Sequence, residues 1–329
     1  MGKETVLVVG GAGYIGAHMV KALRGAGYQA IVLDDLSSGH RELIPDATFI
    51  HGSLGDRSVV EALFAAHPID AVMHFAAFSL VGASVLDPLA YYRNNVAGTL
   101  TLLEAMVRFK VKRFIFSSTA AVYGEPTVIP ITEEHPCVPT NPYGATKLAV
   151  ERMLQDCEAA YGLRYMSLRY FNAAGADPDG FPGERHRPET HLIPLVLKTA
   201  LEEFPHVKIF GTGYPTPDGT CLRDYVHVND LARAHLLALK ALLDGAMSGV
   251  YNLGNSKGYS VREVIELSRK ITGCPIPAIE TGSRPGDPAI LVAASEKIRC
   301  ELGWQPAYED LETIIRSAWR WHRREHGFD

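Results

Sequence analysis

The sequence predicts an α/β fold: a doubly wound, Rossmann-type parallel sheet with a smaller mixed α/β domain. Short apolar runs alternate with longer amphipathic segments through the first half of the chain, and a glycine-rich turn follows the first run. The alternation ends near residue 172, where a segment rich in Gly, Pro, Asp and Arg begins. Alternating strands and helices are typical of a parallel sheet covered by helices on both faces. The length of 329 residues also suggests about two domains.

The predicted strands of the first half are continuous apolar runs, as expected of strands that are buried on both faces. They are Thr5–Val9, Ala30–Leu33, Ala47–His51, Ala71–Phe75, Arg113–Ser117 and Tyr165–Tyr170. The segments between them have the apolar spacing of helices. The predicted helices are a segment after the glycines that ends near Gly25, then Ser58–Ala66, Pro88–Phe109 and Asn141–Tyr161.

The second half opens with a long loop, Ala173–Glu189, and loops of this length in compact domains are often functional. A strand is predicted at Val207–Phe210 and a turn at Tyr214–Gly219. Further helices are predicted near Leu192–Glu203, Val228–Leu243, Val261–Thr272 and Asp310–His326. We therefore expect one domain at residues 1–172 and another at residues 173–329. The sequence leaves open whether segments of the second domain cross back to the first.

Composition excludes several classes of partner. The chain has 32 Lys and Arg against 37 Asp and Glu, and it lacks a basic block, so we expect no nucleic-acid partner. Its longest uncharged stretch, Ala71–Leu86, is shorter than the ~20 residues that span a bilayer, so we expect no membrane partner. The 5 cysteines and 13 histidines show no spacing typical of metal sites, so we expect no metal. An odd number of scattered cysteines favours a reducing, cytoplasmic location.

The glycine-rich turn predicts a dinucleotide site. Gly10, Gly13 and Gly16 lie between the first strand and its helix, where glycines let the backbone approach a pyrophosphate. Asp34 ends the second predicted strand, close to the ~20-residue spacing at which a carboxylate accepts hydrogen bonds from ribose hydroxyls. Asp34 and Asp35 would repel a 2′-phosphate, so NAD is favoured over NADP.

A tyrosine and a lysine predict proton transfer at the same sheet edge. Tyr143 and Lys147 stand four residues apart, on one side of a predicted helix. A free phenol, with a pKa of ~10, is a poor base at neutral pH, but a nearby ammonium favours the phenolate. The preceding strand ends in Ser117, Ser118 and Thr119, whose hydroxyls belong to the edge where ligands bind. The pair therefore predicts a general base for a hydroxyl proton, as hydride transfer requires.

In this order, the glycine turn, hydroxyl cluster and Tyr–Lys pair resemble the extended, nucleotide-sugar-modifying branch of the short-chain dehydrogenase/reductase superfamily. Further motifs, over nearly the whole chain, resemble the UDP-glucose 4-epimerase family of that branch. They are GGAGYIGAH (10–18), DDLSSGH (34–40), HFAAFSLVGAS (74–84), SSTAAVYGE (117–125), NPYGATKLAVE (141–151), LRYFNAAGA (168–176), PTPDGTCLRDYVHVNDLA (215–232) and RPGDPAILVA (284–293).

The resemblance implies an NAD-dependent isomerase that interconverts UDP-glucose and UDP-galactose through a 4-keto sugar. Tyr143 would be the base, Thr119 would hydrogen-bond to the reacting oxygen, and Lys147 would hold the nicotinamide ribose. Related dehydratases and decarboxylases need acid/base carboxylates where this chain has Ala120 and Ala121, which disfavours them. Two alternatives are kept beside this function. One is epimerisation of the UDP derivative of an N-acetylhexosamine, pentose or uronate, and the other is an inactive NAD-binding regulator.

The resemblance also implies which residues bind the cofactor and the substrate, and how two chains assemble. It implies an NAD-binding first domain, a UDP-sugar-binding second domain, and a homodimer formed through Pro88–Phe109 and Asn141–Tyr161. The implied cofactor-binding residues are Gly10, Gly13, Tyr14, Ile15, Gly16, Asp34, Asp35, Ser53, Leu54, Phe75, Ala76, Ala77, Asn95, Ser117, Tyr143, Lys147, Tyr170 and Phe171. The implied substrate-binding residues are Thr119, Tyr143, Asn172, Leu192, Phe210, Arg223, Tyr225, Arg284, Asp287 and Leu291.

Within this set the resemblance gives Arg223, Arg284 and Asn172 to the diphosphate and Asp287 to the uridine ribose. Leu291 matches a position where a bulky side chain is associated with exclusion of N-acetylated sugars. Leucine is intermediate in size, so we expect glucose and galactose as the preferred sugars. Ser79 stands where some members carry a lysine that reaches the NAD phosphates.

Overall fold

The computed structural model describes residues 4–284 and 287–328, and no helix within these ranges is long and apolar enough to cross a membrane. The strands are β1 (Thr5–Val9), β2 (Gln29–Asp34), β3 (Thr48–His51), β4 (Ala71–His74), β5 (Arg113–Thr119), β6 (Arg164–Tyr170), β7 (Asn172–Ala174), β8 (Val207–Phe210), β9 (Leu222–His227), β10 (Gly249–Leu253), β11 (Gly258–Ser260), β12 (Ala278–Thr281) and β13 (Ile290–Leu291). The helices are α1 (Tyr14–Gly25), α2 (Arg57–Ala66), α3 (Val81–Leu86), α4 (Pro88–Tyr91), α5 (Gly98–Phe109), α6 (Pro142–Tyr161), α7 (Leu192–Ala200), α8 (Val228–Leu243), α9 (Val261–Thr272), α10 (Glu296–Leu302) and α11 (Leu311–Glu325).

Seven strands form one parallel sheet in the order β10–β6–β5–β4–β1–β2–β3. The chain first runs outward from β1 through β2 and β3, then returns to β4 on the other side of β1. In such sheets ligands bind outside the carboxyl ends of the strands, at the point where the order reverses. The predicted doubly wound α/β sheet is confirmed, and its reversal point lies at β1.

Both faces of the central sheet are buried. Val6 and Val8 of β1 face a core that contains α1 and α8, while Leu7 and Val9 face a core formed with α2, α5 and α6. None of these four side chains is more than 1% exposed. Full burial on both sides explains why the strand is a continuous apolar run and does not alternate.

The chain returns to the central layer after residue 172. α8 packs against α1, and β10 pairs in parallel with β6 at the edge of the sheet. The sequence pattern predicted the α8 helix but not β10, because Gly249 and Asn252 interrupt the apolar run of Gly249–Leu253. The second half of the chain therefore supplies both a helix and an edge strand to the layer built by the first half.

The predicted helix Pro88–Phe109 is present but not uniform. A π-helical turn, Tyr92–Ala97, separates α4 from α5. Asn95 in this turn is buried, and its side-chain nitrogen donates to Thr146 Oγ1 of α6 at 3.1 Å. π turns inside helices often occur at functional sites, and this one adjoins the carboxyl edge of the sheet.

A smaller layer completes the fold. β7 pairs with β9, β9 pairs with β11 and β13, and β8 pairs with β12. α7, α9 and α11 share a second core with these strands, in which Ile193, Val264 and Ile314 are at most 1% exposed. This layer begins at residue 172, two residues after β6 ends, so it grows directly from the edge of the central sheet.

A buried ion pair fastens α6 to β6 behind the end of β5. Arg169 donates to Glu151 twice, from Nε to Oε1 at 3.0 Å and from Nη2 to Oε2 at 2.6 Å. Ser118 Oγ donates to the same carboxylate at 2.6 Å, and Arg169 Nη1 donates to the Tyr123 hydroxyl at 2.9 Å. Both charged side chains are at most 6% exposed. The fork geometry satisfies the guanidinium and the carboxylate together.

Removing one partner of this pair should be far more destabilising than removing one partner of an exposed pair. Glu151→Gln leaves the Arg169 charge buried without its counter-charge, so we expect a loss of about 3–5 kcal/mol. The control is Glu312→Gln, whose partner Arg316 is 58% exposed, and it should cost no more than about 0.5 kcal/mol. Urea unfolding measures both, and equal losses would contradict the assignment.

Candidate active site

A cleft with a volume of about 370 Å³ opens at the carboxyl edge of the central sheet. It is lined by residues that end or follow four neighbouring strands: Gly10 after β1, Phe75 after β4, Thr119 on β5 and Tyr170 on β6. The carboxyl ends of parallel strands meet at one edge, so motifs far apart in the sequence converge here. The cleft lies at the reversal point of the sheet, where a ligand is expected.

The glycine turn is shaped for close approach of a ligand to the backbone. Gly10 has a φ of +79°, and a Cβ there would lie 2.4 Å from Ala76 N. A Cβ on Gly16 would lie 2.2 Å from the carbonyl oxygen of Gly10. Gly13 is the N-cap of α1, and no side chain caps this end of the helix. The first N–H groups of α1 and its positive dipole end are therefore available to a phosphate.

Asp34 holds the glycine turn while it faces the cleft. Its two carboxylate oxygens accept from the main-chain nitrogens of Ala12 and Leu36, both at 2.9 Å. Burial raises the pKa of Asp34, and these two hydrogen bonds oppose that shift. Asp35 lines the cleft beside it. Two neighbouring carboxyl groups at this position suit a ribose with free hydroxyls and disfavour a 2′-phosphate.

The start of α6 is fitted tightly against the end of β5. Asn141 caps the helix, with its side-chain oxygen accepting from Gly144 N at 2.9 Å. A Cβ on Gly144 would lie 2.4 Å from the carbonyl oxygen of Ala121, so only glycine permits this approach. The first turns of α6, which carry Tyr143 and Lys147, are thereby held on the cleft.

Tyr143, Lys147 and Thr119 form the chemical centre of the cleft. The Thr119 hydroxyl is in hydrogen-bonding contact with the Tyr143 phenol. Lys147 Nζ donates to the carbonyl oxygen of Ser117 at 2.7 Å, and its side chain is almost fully buried. A phenol, a hydroxyl and an ammonium thus converge at the cleft, as predicted from the sequence.

Burial disfavours the charged forms of both titrating groups. It raises the pKa of Tyr143 to about 12, against the contact with Thr119, which lowers it. It lowers the pKa of Lys147 to about 7, against the carboxylate of Glu151, which raises it. With protein groups alone around it, Tyr143 therefore stays protonated at neutral pH and cannot accept a proton. A positive charge brought next to the phenol by a ligand would lower its pKa.

Most of the predicted cofactor residues line this cleft. They are Gly10, Gly13, Tyr14, Ile15, Gly16, Asp34, Asp35, Leu54, Phe75, Ala76, Ala77, Ser117, Tyr143, Lys147, Tyr170 and Phe171. Ser53 and Asn95 lie outside its lining. The Asn95 amide accepts from Phe78 N at 2.8 Å and donates to Phe78 O at 3.0 Å. This geometry favours a positioning role for Asn95, and the neighbouring Asn94 faces the cleft instead.

The predicted substrate residues extend from the cleft along the smaller layer. Asn172 lines the cleft on β7 and lies opposite Tyr225 on β9. Arg223 is two residues from Tyr225, hence on the same face of β9, and lies opposite Leu291 on β13. The strand register therefore places these residues on one face of the smaller layer, next to the cleft.

The two predicted phosphate-binding arginines have protein partners on this surface. Arg223 forms an ion pair with Asp287, and the Arg284 guanidinium lies 3.8 Å from the centre of the Phe210 ring. The Arg223 side chain is 12% exposed, so it is accessible at one side. Leu192 and Tyr225 pack in the core next to this cluster and do not line the cleft.

The cleft also contains three titratable residues that sequence patterns did not single out. Glu184, His186 and His191, from the loop before α7, form part of its wall. They belong to a Glu-x-His-x-x-Glu-x-His pattern at residues 184–191. The metal-site spacings of cysteine and histidine considered in the sequence analysis do not include this mixed Glu/His pattern. The pattern itself was the sequence signal for these residues.

The close approach at Gly10 gives a testable consequence for cofactor binding. Gly10→Ala places a methyl group against Ala76 and forces alanine into a left-handed backbone conformation. That conformation costs about 1–3 kcal/mol of conformational free energy. We expect dinucleotide binding to weaken roughly tenfold or more. Gly82→Ala is the control, because a Cβ at Gly82 meets nothing within 4 Å. Calorimetric titration measures both variants, and an unchanged affinity in Gly10→Ala would exclude this approach as a requirement.

The lowered pKa of Lys147 makes stability depend on pH in the cofactor-free protein. The folded value of about 7 lies below the ~10.5 of an unfolded chain, so the unfolded state binds more protons between them. Wild-type stability therefore gains from Lys147 as the pH rises through this window. Lys147→Met has no such titration and does not gain this stability. The free energy of unfolding of the variant minus that of the wild type should therefore fall by roughly 2–3 kcal/mol from pH 6 to pH 9. Denaturant unfolding at both pH values tests this, and a pH-independent difference would contradict it.

Comparison with known proteins agrees with this geometry. The model of the NAD dependent epimerase/dehydratase family matches residues 6–254. The UDP-glucose 4-epimerase of Halalkalibacterium halodurans is 56% identical and aligns over 98% of this chain and 97% of its own. One solved UDP-glucose 4-epimerase has a TM-score of 0.96 at 52% identity, covering 99% of both chains. Another, from Brucella ovis in complex with NAD, has a TM-score of 0.94 at 46% identity, covering 96% of this chain and 98% of that one. The chain belongs to the NAD dependent epimerase/dehydratase family, and these relatives within it are UDP-glucose 4-epimerases.

Proposed function

We propose that this protein interconverts UDP-glucose and UDP-galactose by reversible, NAD-dependent oxidation and reduction at C4 of the sugar. The observation that carries the proposal is the convergence of Tyr143, Thr119 and Lys147 at one end of a cleft whose other end is an uncapped helix N-terminus. The relatives support the activity by name, and the Brucella ovis protein binds NAD. The residues of the cleft fit that cofactor, because Asp34 and the glycine turn match its ribose and pyrophosphate.

Tyr143 carries the proton transfer. When bound, NAD accepts a hydride from C4 and returns it to the resulting 4-keto sugar. Tyr143 takes the proton of the C4 hydroxyl during oxidation and gives it back during reduction. Thr119 hydrogen-bonds to the same oxygen and so fixes the sugar against the phenol. Lys147 binds the nicotinamide ribose and, when protonated, lowers the pKa of Tyr143.

Inversion at C4 requires the sugar to turn while the nucleotide stays in place. Arg223 and Arg284 bind the diphosphate, since guanidinium forks suit phosphate oxygens, and Asn172 donates to the same group. Asp287 accepts from the uridine ribose. Because Arg223 and Asp287 pair with each other in the protein alone, substrate binding exchanges one ion pair for a diphosphate and a ribose contact. Phe210, Tyr225 and Leu192 complete the nucleotide side.

The residues around the base favour an epimerase over other enzymes of this fold. Ala120 and Ala121 form the turn directly after β5, next to Thr119. A dehydratase or decarboxylase needs acid/base carboxylates at these positions, and alanine offers none. Leu291, opposite Arg223 on β13, is of intermediate size, which supports glucose and galactose as preferred sugars with slower turnover of N-acetylhexosamines.

The proposal includes the setting of the enzyme. Residues 1–172 form the NAD-binding domain, residues 173–329 form the UDP-sugar-binding domain, and α8 and β10 of the latter return to the central layer. We expect a role in galactose metabolism from the activity. We also expect a cytoplasmic location, because the five free cysteines fit a reducing compartment. A homodimer formed through Pro88–Phe109 and Asn141–Tyr161 is supported by exposed apolar side chains on the first of these segments and just before it. They include Val85 at 61%, Leu86 at 88%, Leu89 at 70% and Leu100 at 49% exposure.

The activity is tested by incubating UDP-galactose with the protein and no added cofactor, with the product identified by NMR. We expect UDP-glucose, and NAD in the supernatant after denaturation. Tyr143→Phe should lower kcat by about 10²- to 10⁴-fold with NAD still bound. Tyr161→Phe, at the exposed end of the same helix, is the control and should be unaffected. A 4-keto-6-deoxy product would indicate a dehydratase, and bound NAD without turnover would indicate a regulator.

The dimer is tested by placing a charge on the exposed apolar surface. Leu89→Arg should convert a dimer of twice 35.9 kDa into a monomer, because a buried unpaired guanidinium disfavours the interface. Met247→Arg, at a comparably exposed position elsewhere, should leave the mass unchanged. Light scattering reads both, and a wild-type monomer would refute the proposed assembly.

A further inference from the structure

Four side chains of types that bind metals meet on the loop before α7. Glu184, His186, Glu189 and His191 each offer one ligand atom, and these four atoms all lie within 4.8 Å of one another. The proposed epimerisation uses none of them. We propose that this cluster binds one divalent transition-metal ion of the zinc class, in a closed site with four protein ligands.

The histidine nitrogens already converge on the carboxylates. His186 Nδ1 lies 2.9 Å and His191 Nδ1 lies 2.8 Å from the same oxygen, Oε1 of Glu184. His191 Nδ1 also lies 3.0 Å from Glu189 Oε1. Ligands of a tetrahedral zinc ion at 2.0–2.2 Å stand about 3.4 Å apart. The short contacts of this cluster would therefore lengthen by roughly 0.5 Å on zinc binding, and its widest separations would shorten by at most about 1.4 Å.

An unpartnered carboxylate oxygen points independently to a cation. Glu189 Oε2 is buried and has no hydrogen-bond partner, and the side chain is only 2% exposed. His186 Nδ1 of the cluster lies 3.9 Å from this oxygen. A buried carboxylate oxygen without a donor is costly, and a bound metal ion would satisfy it.

The chemistry of the ligands selects the metal. Two neutral imidazoles and two carboxylates balance one divalent cation without any buried net charge. Calcium and magnesium prefer ligand sets made of oxygen alone, whereas imidazole nitrogen suits zinc and its neighbours. Four protein ligands leave no open position, which is typical of a structural site and not of a catalytic one.

The surroundings show what such an ion would hold in place. The carbonyl oxygen of Glu184 accepts from Trp321 Nε1 of α11 at 2.8 Å, and Arg185 pairs with Glu42 at 2.8 Å on the cofactor side. The His186 ring meets the Tyr14 ring edge-on, with 6.2 Å between their centres, at the start of α1. The ion would therefore fix the loop that joins the smaller layer to the wall of the cofactor cleft.

The test measures metal content and does not depend on turnover, so its outcome is separable from that of the epimerase assay. Untagged protein with its cofactor bound is equilibrated with micromolar zinc, dialysed and analysed by elemental mass spectrometry. We expect one zinc per chain. A strong chelator should remove it and lower the Tm by roughly 5 °C, and zinc should restore the Tm.

Variants distinguish the cluster from adventitious binding. Glu189→Gln keeps the size of the side chain and removes the charged ligand, so we expect a folded protein that has lost the zinc. We expect the same loss of zinc in His191→Ala. His206→Ala, a partly exposed histidine outside the cluster, is the control and should retain one equivalent. A wild-type protein without bound zinc, or cluster variants that keep the full equivalent, would overturn the proposal.

Discussion

The parallel pairing of β1 with β2 on one side and β4 on the other is the constraint on which the site depends. Because the chain leaves β1 toward opposite sides, a crevice forms at the carboxyl ends of the strands, and the glycine turn after β1 lines it largely with backbone. Gly10 contacts the loop after β4, Gly16 contacts the Gly10 carbonyl, and Asp34 of β2 fastens the turn from the other side. The ligand cleft is therefore a product of strand order and backbone packing before any catalytic group is added.

The proposed general base, Tyr143, depends on the ligand. Tyr143 and Lys147 are buried against β5, and burial alone pushes both toward their neutral forms. The tight contact between Gly144 and Ala121, and the ion pair of Glu151 with Arg169, hold α6 in this position. A bound nicotinamide cofactor would bring a missing positive charge, because its oxidised ring is cationic, and a positive charge beside the phenol lowers the pKa of Tyr143. In this account the base becomes effective only in the complex, which couples cofactor retention to proton transfer.

The parts of the fold and site that could be predicted from sequence are those with local causes. Six of the seven strands of the central sheet, the glycine turn and the Tyr143–Lys147 spacing each follow from residues close together in the chain. Features set by distant contacts could not be read this way. β10 is recognisable only by its pairing with β6, and Asn95 turns away from the cleft because Thr146 and the Phe78 backbone satisfy its amide. The Arg223–Asp287 pair and the Glu184–His191 cluster likewise arise from tertiary packing.

Epimerisation through bound NAD requires that the hydride removed from C4 return to the same carbon, while Tyr143 moves only the hydroxyl proton. The most direct measurement uses UDP-galactose carrying deuterium at C4, with no cofactor added and the product analysed by NMR and mass spectrometry. The account predicts UDP-glucose that retains the deuterium at C4. Product with hydrogen from water at C4 would contradict it, because the hydrogen would then have passed through an exchangeable proton and not through the bound cofactor.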